Sequence, residues 1–121
     1  MGSHPANLAL RFLLELAALA GLGFLGYLLS FGWPRFLLAA ALPVAAAAIW
    51  GAFAVPDDPS RSGNAPVPVA GWLRLAIELA IFGLGIAGLA TASKTAALSV
   101  LVLVIIHYLL SVDRIRWLLA R

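Results

Sequence analysis

Two short segments of the sequence place an arginine and a glutamate in otherwise apolar surroundings. Arg11 and Glu15 lie within LALRFLLELAAL (8–19), and Arg74 and Glu78 repeat the spacing of four residues. Residues four apart share one face of a helix, so each arginine can reach its own glutamate. Ionisable groups within an apolar helix are typical of binding or proton-handling sites in membrane proteins. The spacing therefore predicts a polar site shared by two helices.

Two more side chains are predicted to join this site. Trp50 lies near the end of the second apolar segment and His107 near the end of the fourth, at a depth similar to that of the glutamates. Trp50 would supply an aromatic wall, and His107 a hydrogen bond, because no second histidine lies at the spacing of a metal site. Tyr108 is expected on a different helix face. The predicted ligand-binding or proton-handling site consists of Arg11, Glu15, Arg74, Glu78, His107 and Trp50, with no metal and no cofactor.

The composition determines which elements position these residues. Of the 121 residues, 64% are hydrophobic and 11% are charged, and the mean hydropathy is +1.05. A water-soluble domain of this size cannot bury so much apolar surface, whereas a bilayer accommodates it. We therefore predict an all-α integral membrane protein, a four-helix transmembrane bundle. It forms a single domain over residues 5–121, after a tag remnant at 1–4, with helices at about 7–30, 35–55, 70–91 and 95–113.

The charges indicate how the chain lies in the membrane. There is no cysteine to form a disulfide, and the eight lysines and arginines are scattered, so the lipid bilayer rather than nucleic acid is the expected partner. Four spans place both termini and the loop 56–69 on one side, and the positive-inside rule assigns that side to the cytoplasm. Asp57 and Asp58 in this loop are predicted to form a solvated turn. The cytoplasmic side carries Arg61, Arg114, Arg116 and Arg121, and the opposite loops carry Arg35 and Lys94.

The first and third helices resemble each other. LRFLLELAALAGLGFLG (10–26) and LRLAIELAIFGLGIAG (73–88) share L-R-x-x-x-E-L-A followed by G-L-G-x-x-G, which predicts duplication of a two-helix hairpin. The glycines imitate a dinucleotide fingerprint, but that motif needs a preceding strand, and here it falls within an apolar helix. Close helix packing is the expected role of Gly21, Gly23, Gly26, Gly83, Gly85 and Gly88.

Most of the chain resembles a known family. The segments NLALRFLLELAAL (7–19), IWGAFAVPDDP (49–59), LRLAIELAIFGLG (73–85) and HYLLSVDR (107–114) resemble the YrdB-like family of small bacterial membrane proteins, a domain of unknown function. The resemblance implies a four-helix membrane protein. Together with the charge distribution, it leads us to expect a multi-pass protein of the bacterial inner membrane with both termini cytoplasmic. It supplies no catalytic residues.

The predicted function is binding. We expect a small membrane protein, a homodimer, whose Arg/Glu site on the cytoplasmic side takes a small or lipophilic ligand. Three alternatives stay open: a proton-coupled carrier of small solutes, a membrane-embedded acid–base enzyme acting on an apolar substrate, and a structural subunit whose Arg–Glu pairs clamp the helices. No residue pattern identifies a catalytic nucleophile, so the catalytic residues are unknown.

Overall fold

The protein is almost entirely α-helical. The computed structural model describes residues 1–61 and 63–121, so the predicted loop 56–69 includes one residue, 62, that lies outside the described residues. Two short strands, β1 (Phe53–Ala54) and β2 (Val67–Pro68), pair in parallel and hold the two ends of that loop together. The helices are α1 (Pro5–Leu28), α2 (Pro34–Ala52), α3 (Gly71–Ala92), α4 (Lys94–Leu110) and α5 (Val112–Leu119).

Three of the helices in the described residues, α1, α2 and α3, are long and apolar enough to cross a membrane. α4 and α5 together make a fourth candidate span, although their axes are bent by 70°. At 1.5 Å per residue, the 24 residues of α1 extend about 36 Å, more than the hydrocarbon thickness of about 30 Å. The lengths and compositions of these helices are those of a helical membrane protein.

The fourth helix ends earlier than expected. The prediction runs to residue 113, whereas α4 stops at Leu110 and a separate helix, α5, follows Ser111. The hydroxyl of Ser111 donates to the carbonyl of His107 and accepts from the Asn7 side chain, both at 2.8 Å. A serine that bonds to the preceding turn competes with helix continuation, so the chain changes direction at this residue.

Glycines allow α1 and α3 to pack in direct backbone contact. A Cβ atom at Gly21 would overlap the carbonyl oxygen of Gly85, and one at Gly88 would overlap that of Gly21. A Cβ at Gly85 would lie 2.6 Å from the backbone of Ala18. Small residues of this kind let helices approach where lipid removes the hydrophobic drive for association.

The other three glycines of the predicted packing set differ in their surroundings. Gly26 meets the backbone of Leu38 in α2 with no room for a side chain, and Gly23 is in ordinary contact with Ala39, 3.4 Å away. A Cβ at Gly83 would meet no described atom within 4 Å. Gly83 is therefore not required for close packing between the helices that the structure describes.

The core lies along the line where α1 packs between α2 and α3. Leu14, Ala18 and Leu22 of α1 are almost fully buried there. Trp50 of α2 contacts Phe82 of α3 edge to face, with ring centroids 5.1 Å apart. Phe82 in turn contacts Tyr108 of α4 at 6.1 Å. These three aromatic rings form a continuous row that borders the charged groups described below.

Candidate functional site

A single carboxylate, Glu78, lies at the centre of the charged groups. Its side chain is fully buried in α3 and binds guanidinium groups from three helices. Arg11 of α1 donates to Oε1 at 2.6 Å, and Arg74, one turn earlier in α3, donates to it at 2.9 Å. Arg114 of α5 donates to both oxygens, at 2.7 and 3.0 Å, and the Tyr108 hydroxyl donates to Oε2 at 3.0 Å. Glu78 thus joins α1, α3, α4 and α5.

Arg114 also connects the long loop to this centre. Its Nη2 and Nε donate to the carboxylate of Asp58 at 2.7 and 3.2 Å. Asp58 further accepts from the amide and the hydroxyl of Ser60, at 2.9 and 2.8 Å. Burial raises the pKa of Asp58, but the hydrogen bonds and the charge of Arg114 outweigh it and hold the pKa below its ordinary value.

The prediction of a solvated Asp57–Asp58 turn is wrong for Asp58. Its side chain is completely buried, whereas Asp57 is exposed. Pro56 and Pro59, which flank the pair, favour a turn but do not determine whether a carboxylate in it is buried. A buried aspartate needs a charged partner, and that partner, Arg114, lies 56 residues further along the chain.

Arg11 and Arg74 each bind the glutamate one turn ahead, as their spacing predicts, but their other contacts differ. Arg11 donates to Glu15 at 3.0 Å and to the Ser60 hydroxyl at 3.3 Å. Nη1 of Arg74 instead donates to the carbonyls of Trp50 and Phe53, the latter at 2.7 Å. These carbonyls end α2 without helical partners, so the guanidinium caps that helix.

The structure therefore brings together Arg11, Glu15, Arg74 and Glu78, with Trp50 beside them. The Trp50 ring lies 5.8 Å from the guanidinium carbon of Arg11 and equally far from that of Arg74. These distances agree with the expected aromatic wall and allow weak cation–π attraction.

His107 lies in a different network. Asn7 uses its amide nitrogen to donate to Ser111 and to the Met1 carbonyl, so its oxygen faces His107, and the His107 Nδ1 must donate across 2.9 Å. This network holds α1 to the junction of α4 and α5. His107 is buried but, among the described residues, hydrogen-bonds no member of the Glu78 centre.

Three residues of the centre escaped prediction from the sequence. Arg114 is expected only among the charges of the cytoplasmic side, although the charge pattern of VDRIRWLL is that of a short amphipathic helix. Tyr108 was assigned to another face than His107, which is correct, but that face is the one that reaches Glu78. No residue pattern near Asp58 indicates that its carboxylate is buried.

A cavity of about 380 Å³ opens beside the centre. Its polar lining consists of Arg11, Glu15, Ser60, Arg61 and Arg74, and its apolar rim includes Leu8, Phe12 and Trp50. The Glu15 side chain is 28% exposed, in contrast with the fully buried Glu78. Glu15 is thus the carboxylate that a bound molecule can reach.

A second cavity, of about 220 Å³, continues from the first. The two share Glu15, Trp50 and Gly51, and the second adds Leu19 and Ala47. Leu19 lies one helical turn further from the start of α1 than Glu15. The combined space is therefore polar near the helix ends and apolar at greater depth. In the part of the chain that the structure describes, no group of three His, Asp or Glu side chains is arranged to hold a metal ion.

The chain has recognisable relatives. A family model described as "Protein of unknown function (DUF2568)" matches residues 9–106. An uncharacterised protein, YrdB, from Bacillus subtilis (strain 168) is 45% identical over 117 residues, covering 96% of this chain and 95% of the relative. No solved structure matches the chain.

Proposed function

The chain belongs to the DUF2568 family of proteins of unknown function, and from its buried charges and the cavity beside them we propose that it is a membrane-integral binding protein for a small or lipophilic ligand. The observation that carries this proposal is the position of the cavity. Its walls include Arg11 and Arg74, whose guanidinium groups are held in place by Glu78. A site whose polar groups are already fixed binds with little loss of conformational entropy.

The proposal divides the predicted site residues into two roles. Glu78 serves as a clamp, because three guanidiniums and a hydroxyl occupy its oxygens. Glu15 and Trp50 serve as the surface that a ligand contacts. In this proposal Glu78 has the structural role and Glu15 the binding role, although both belong to the predicted Arg–Glu pairs.

We also propose that the four spans form a bundle of two repeated hairpins. The equivalent Arg–Glu pairs of α1 and α3 support this, since Nε donates to Oε1 in both, at 3.0 and 2.9 Å. The two halves differ where Arg74 binds carbonyls and Arg11 binds Ser60, as expected if the copies have diverged.

The proposed location is the bacterial inner membrane, with both termini and the cavity facing the cytoplasm. Arg114 is neutralised within the protein, so the orienting charges on that side are Arg61, Arg116 and Arg121, against Arg35 and Lys94 opposite. Labelling of a cysteine introduced at Lys94 with an impermeant reagent in intact cells tests this orientation, because protection from the reagent would contradict it.

A homodimer is the proposed assembly. Ala41, Ala45 and Ala48 form an exposed strip of small residues on α2, on which a second copy can pack closely. The chain has no cysteine, so oxidation of an Ala45→Cys variant in membranes should give a cross-linked dimer, and a monomer alone would contradict the proposal.

Proton-coupled transport is a second candidate, favoured by the partial exposure of Glu15 to the cavity. A carrier would need Glu15 to exchange a proton as solute binds. Solute-driven pH change in proteoliposomes that survives Glu15→Gln would exclude it.

The binding proposal is tested by filling the cavity. Gly51 lies at the junction of both cavities, and a Cβ there would meet no described atom within 4 Å. Gly51→Leu should therefore occupy the cavity without disturbing the helices. Native mass spectrometry of protein purified from membranes should detect a co-purifying molecule on the wild type and lose it on this variant.

Gly83→Leu is the matched control. Gly83 is also a helical glycine with open space at its Cβ, but it faces an apolar groove between α3 and α4. The control should keep the co-purifying molecule, and both variants should melt at or above the wild-type temperature, because leucine favours a helix more than glycine. The same molecules on all three proteins, or on none, would overturn the proposal.

A further inference from the structure

The charges around the cavity are unequal. Arg11, Arg61 and Arg74 line it, whereas Glu15 is its single carboxylate in the described residues. Behind the wall, Arg114 is paired with Asp58 and Glu78. In the whole centre, four guanidiniums therefore face three carboxylates. The excess positive charge lies on the cavity side, where a negative group would balance it.

Two arginines that line the cavity each carry an N–H group without an acceptor in the described residues. Nε and Nη1 of Arg74 bind Glu78 and the two carbonyls that end α2, but Nη2 meets no acceptor among residues 1–61 and 63–121. The Arg74 side chain is only 2% exposed. Nε of Arg61 is likewise buried without an acceptor in the described chain. A guanidinium donor is costly when neither water nor an acceptor satisfies it, and an acceptor group beside these two arginines would remove that cost.

The apolar part of the space begins where the charges end. Trp50 borders both cavities, and Leu19 and Ala47 line the deeper one. A molecule that fills both cavities must therefore carry a polar group at one end and hydrocarbon at the other. The unpaired donors require that polar group to be an acceptor, and the excess charge requires it to be negative.

We propose that the cavity binds a single-chain amphiphile with an anionic head, a carboxylate or a phosphate, which accepts from Arg61 and Arg74 while its hydrocarbon chain lies along Leu19 and Ala47. This inference rests on the proposed binding function and specifies its ligand class. Planar guanidiniums match the paired oxygens of such heads. The same chemistry occurs in a free fatty acid and in a phosphorylated lipid.

The test compares four amphiphiles that have the same hydrocarbon chain and different head groups. Trp33, Trp72 and Trp117 are replaced by Phe, leaving Trp50 as the fluorescent reporter at the cavity, in nanodiscs of phosphatidylcholine. The probes are 6-bromododecanoate, 6-bromododecyl phosphate, 6-bromododecanol and 6-bromododecyltrimethylammonium, whose bromine quenches tryptophan on contact and sits near the head, at the level of Trp50. Binding at a site gives saturable quenching, whereas partition into the bilayer does not saturate.

We expect one or both anionic probes to quench Trp50 saturably, and the neutral and cationic probes not to do so. Quenching by the carboxylate alone indicates a fatty acid, and by the phosphate alone a phosphorylated lipid. Arg61→Gln, whose side chain bonds only to carbonyl groups in the described chain, should weaken the anionic probe about tenfold. Gly51→Leu should abolish saturation.

Saturable quenching by the alcohol or the ammonium probe, equal to or stronger than that by the anions, would overturn the anionic head and leave the binding function intact. An unchanged affinity in Arg61→Gln would overturn the assigned contact. If no probe saturates, the anionic amphiphile is excluded, and the co-purification experiment with Gly51→Leu decides separately whether the cavity binds anything.

Discussion

At the level of single residues, Glu78 and Glu15 occupy equivalent positions in the repeated motif but differ in environment. Glu78 is fully buried and accepts from Arg11, Arg74, Arg114 and Tyr108. Glu15 accepts from Arg11 alone among the described residues and is partly exposed. The removal of one partner from a buried ion pair leaves the others uncompensated, whereas a partly exposed pair contributes little.

Glu78→Gln should therefore destabilise the protein by about 3–5 kcal/mol, because three guanidiniums lose their shared counter-charge. Glu15→Gln, the matched control, should cost about 0–1 kcal/mol. Unfolding of the purified proteins by heat or by sodium dodecyl sulfate measures both. Equal losses in the two variants would show that Glu78 is not the centre of the network.

Sequence spacing predicts side-chain contacts best when both residues lie on the same helix. Both arginines bind the glutamate four residues ahead, since helical geometry alone brings them together. The contact from Arg11 to Glu78 crosses 67 residues and depends on how α1 packs on α3. No local pattern encodes that distance, so the sequence could suggest it only through the shared motif.

At the level of helices, the α1–α3 contact depends on the absence of side chains at three glycines. Gly85 lies against the backbone of Ala18, and Gly21 lies between Gly85 and Gly88. Any added atom must separate the two helices, and separation would pull Arg11 away from Glu78. The packing of the helices and the geometry of the charges are therefore coupled.

Gly85→Ala should destabilise the protein by about 1–3 kcal/mol, because the new methyl group overpacks a filled interface. Gly83→Ala, two residues away with open space at its Cβ, should leave stability unchanged or raise it by about 0.5–1 kcal/mol through helix propensity. Thermal unfolding in detergent compares the two. A Gly85→Ala protein as stable as the wild type would contradict the close approach of α1 and α3.

The end of α4 marks the limit of prediction for helices. The apolar run ends at Leu110, and charged residues follow from Asp113. Polar residues can continue a helix, so a single span to 113 is the expectation from the sequence. The turn at Ser111 requires a hydrogen bond from Asn7, 104 residues earlier in the chain. The change in composition shows where the apolar segment stops, but it does not show that a distant side chain bends the chain there. Because the bend at Ser111 sets the direction of α5, the orientation of Arg114 could not be predicted without it.

At the level of the whole molecule, the Asp58–Arg114 pair ties the long loop to α5. Because the pKa of Asp58 is lowered in the folded protein, the carboxylate stabilises the fold fully above the unfolded pKa of about 3.9 and loses this effect as pH falls through the folded pKa. The ion pair between Asp58 and Arg114 should therefore weaken only in acid, below about pH 4.

Asp58→Asn should lower the melting temperature at neutral pH, and its difference from the wild type should shrink as the pH is taken from about 5 toward 3. Asp57→Asn is the control, because Asp57 is exposed and asparagine tolerates its positive φ of 66°. A difference for Asp58→Asn that stays constant over this pH range would rule out the ionised pair.

The position of Arg114 in the chain also bears on how the protein is made. A ribosome delivers Arg11 first, then Arg74 and Glu78 within one turn of each other, and Arg114 only 36 residues after Glu78. When α3 is made, Glu78 therefore already has Arg74 beside it on the same helix and Arg11 available on α1. The last guanidinium, on α5, is added only after the other helices have been made, and it links both α5 and the long loop to the centre. The charged centre is therefore incomplete until α5 follows the other helices, which makes α5 the closing element of the fold.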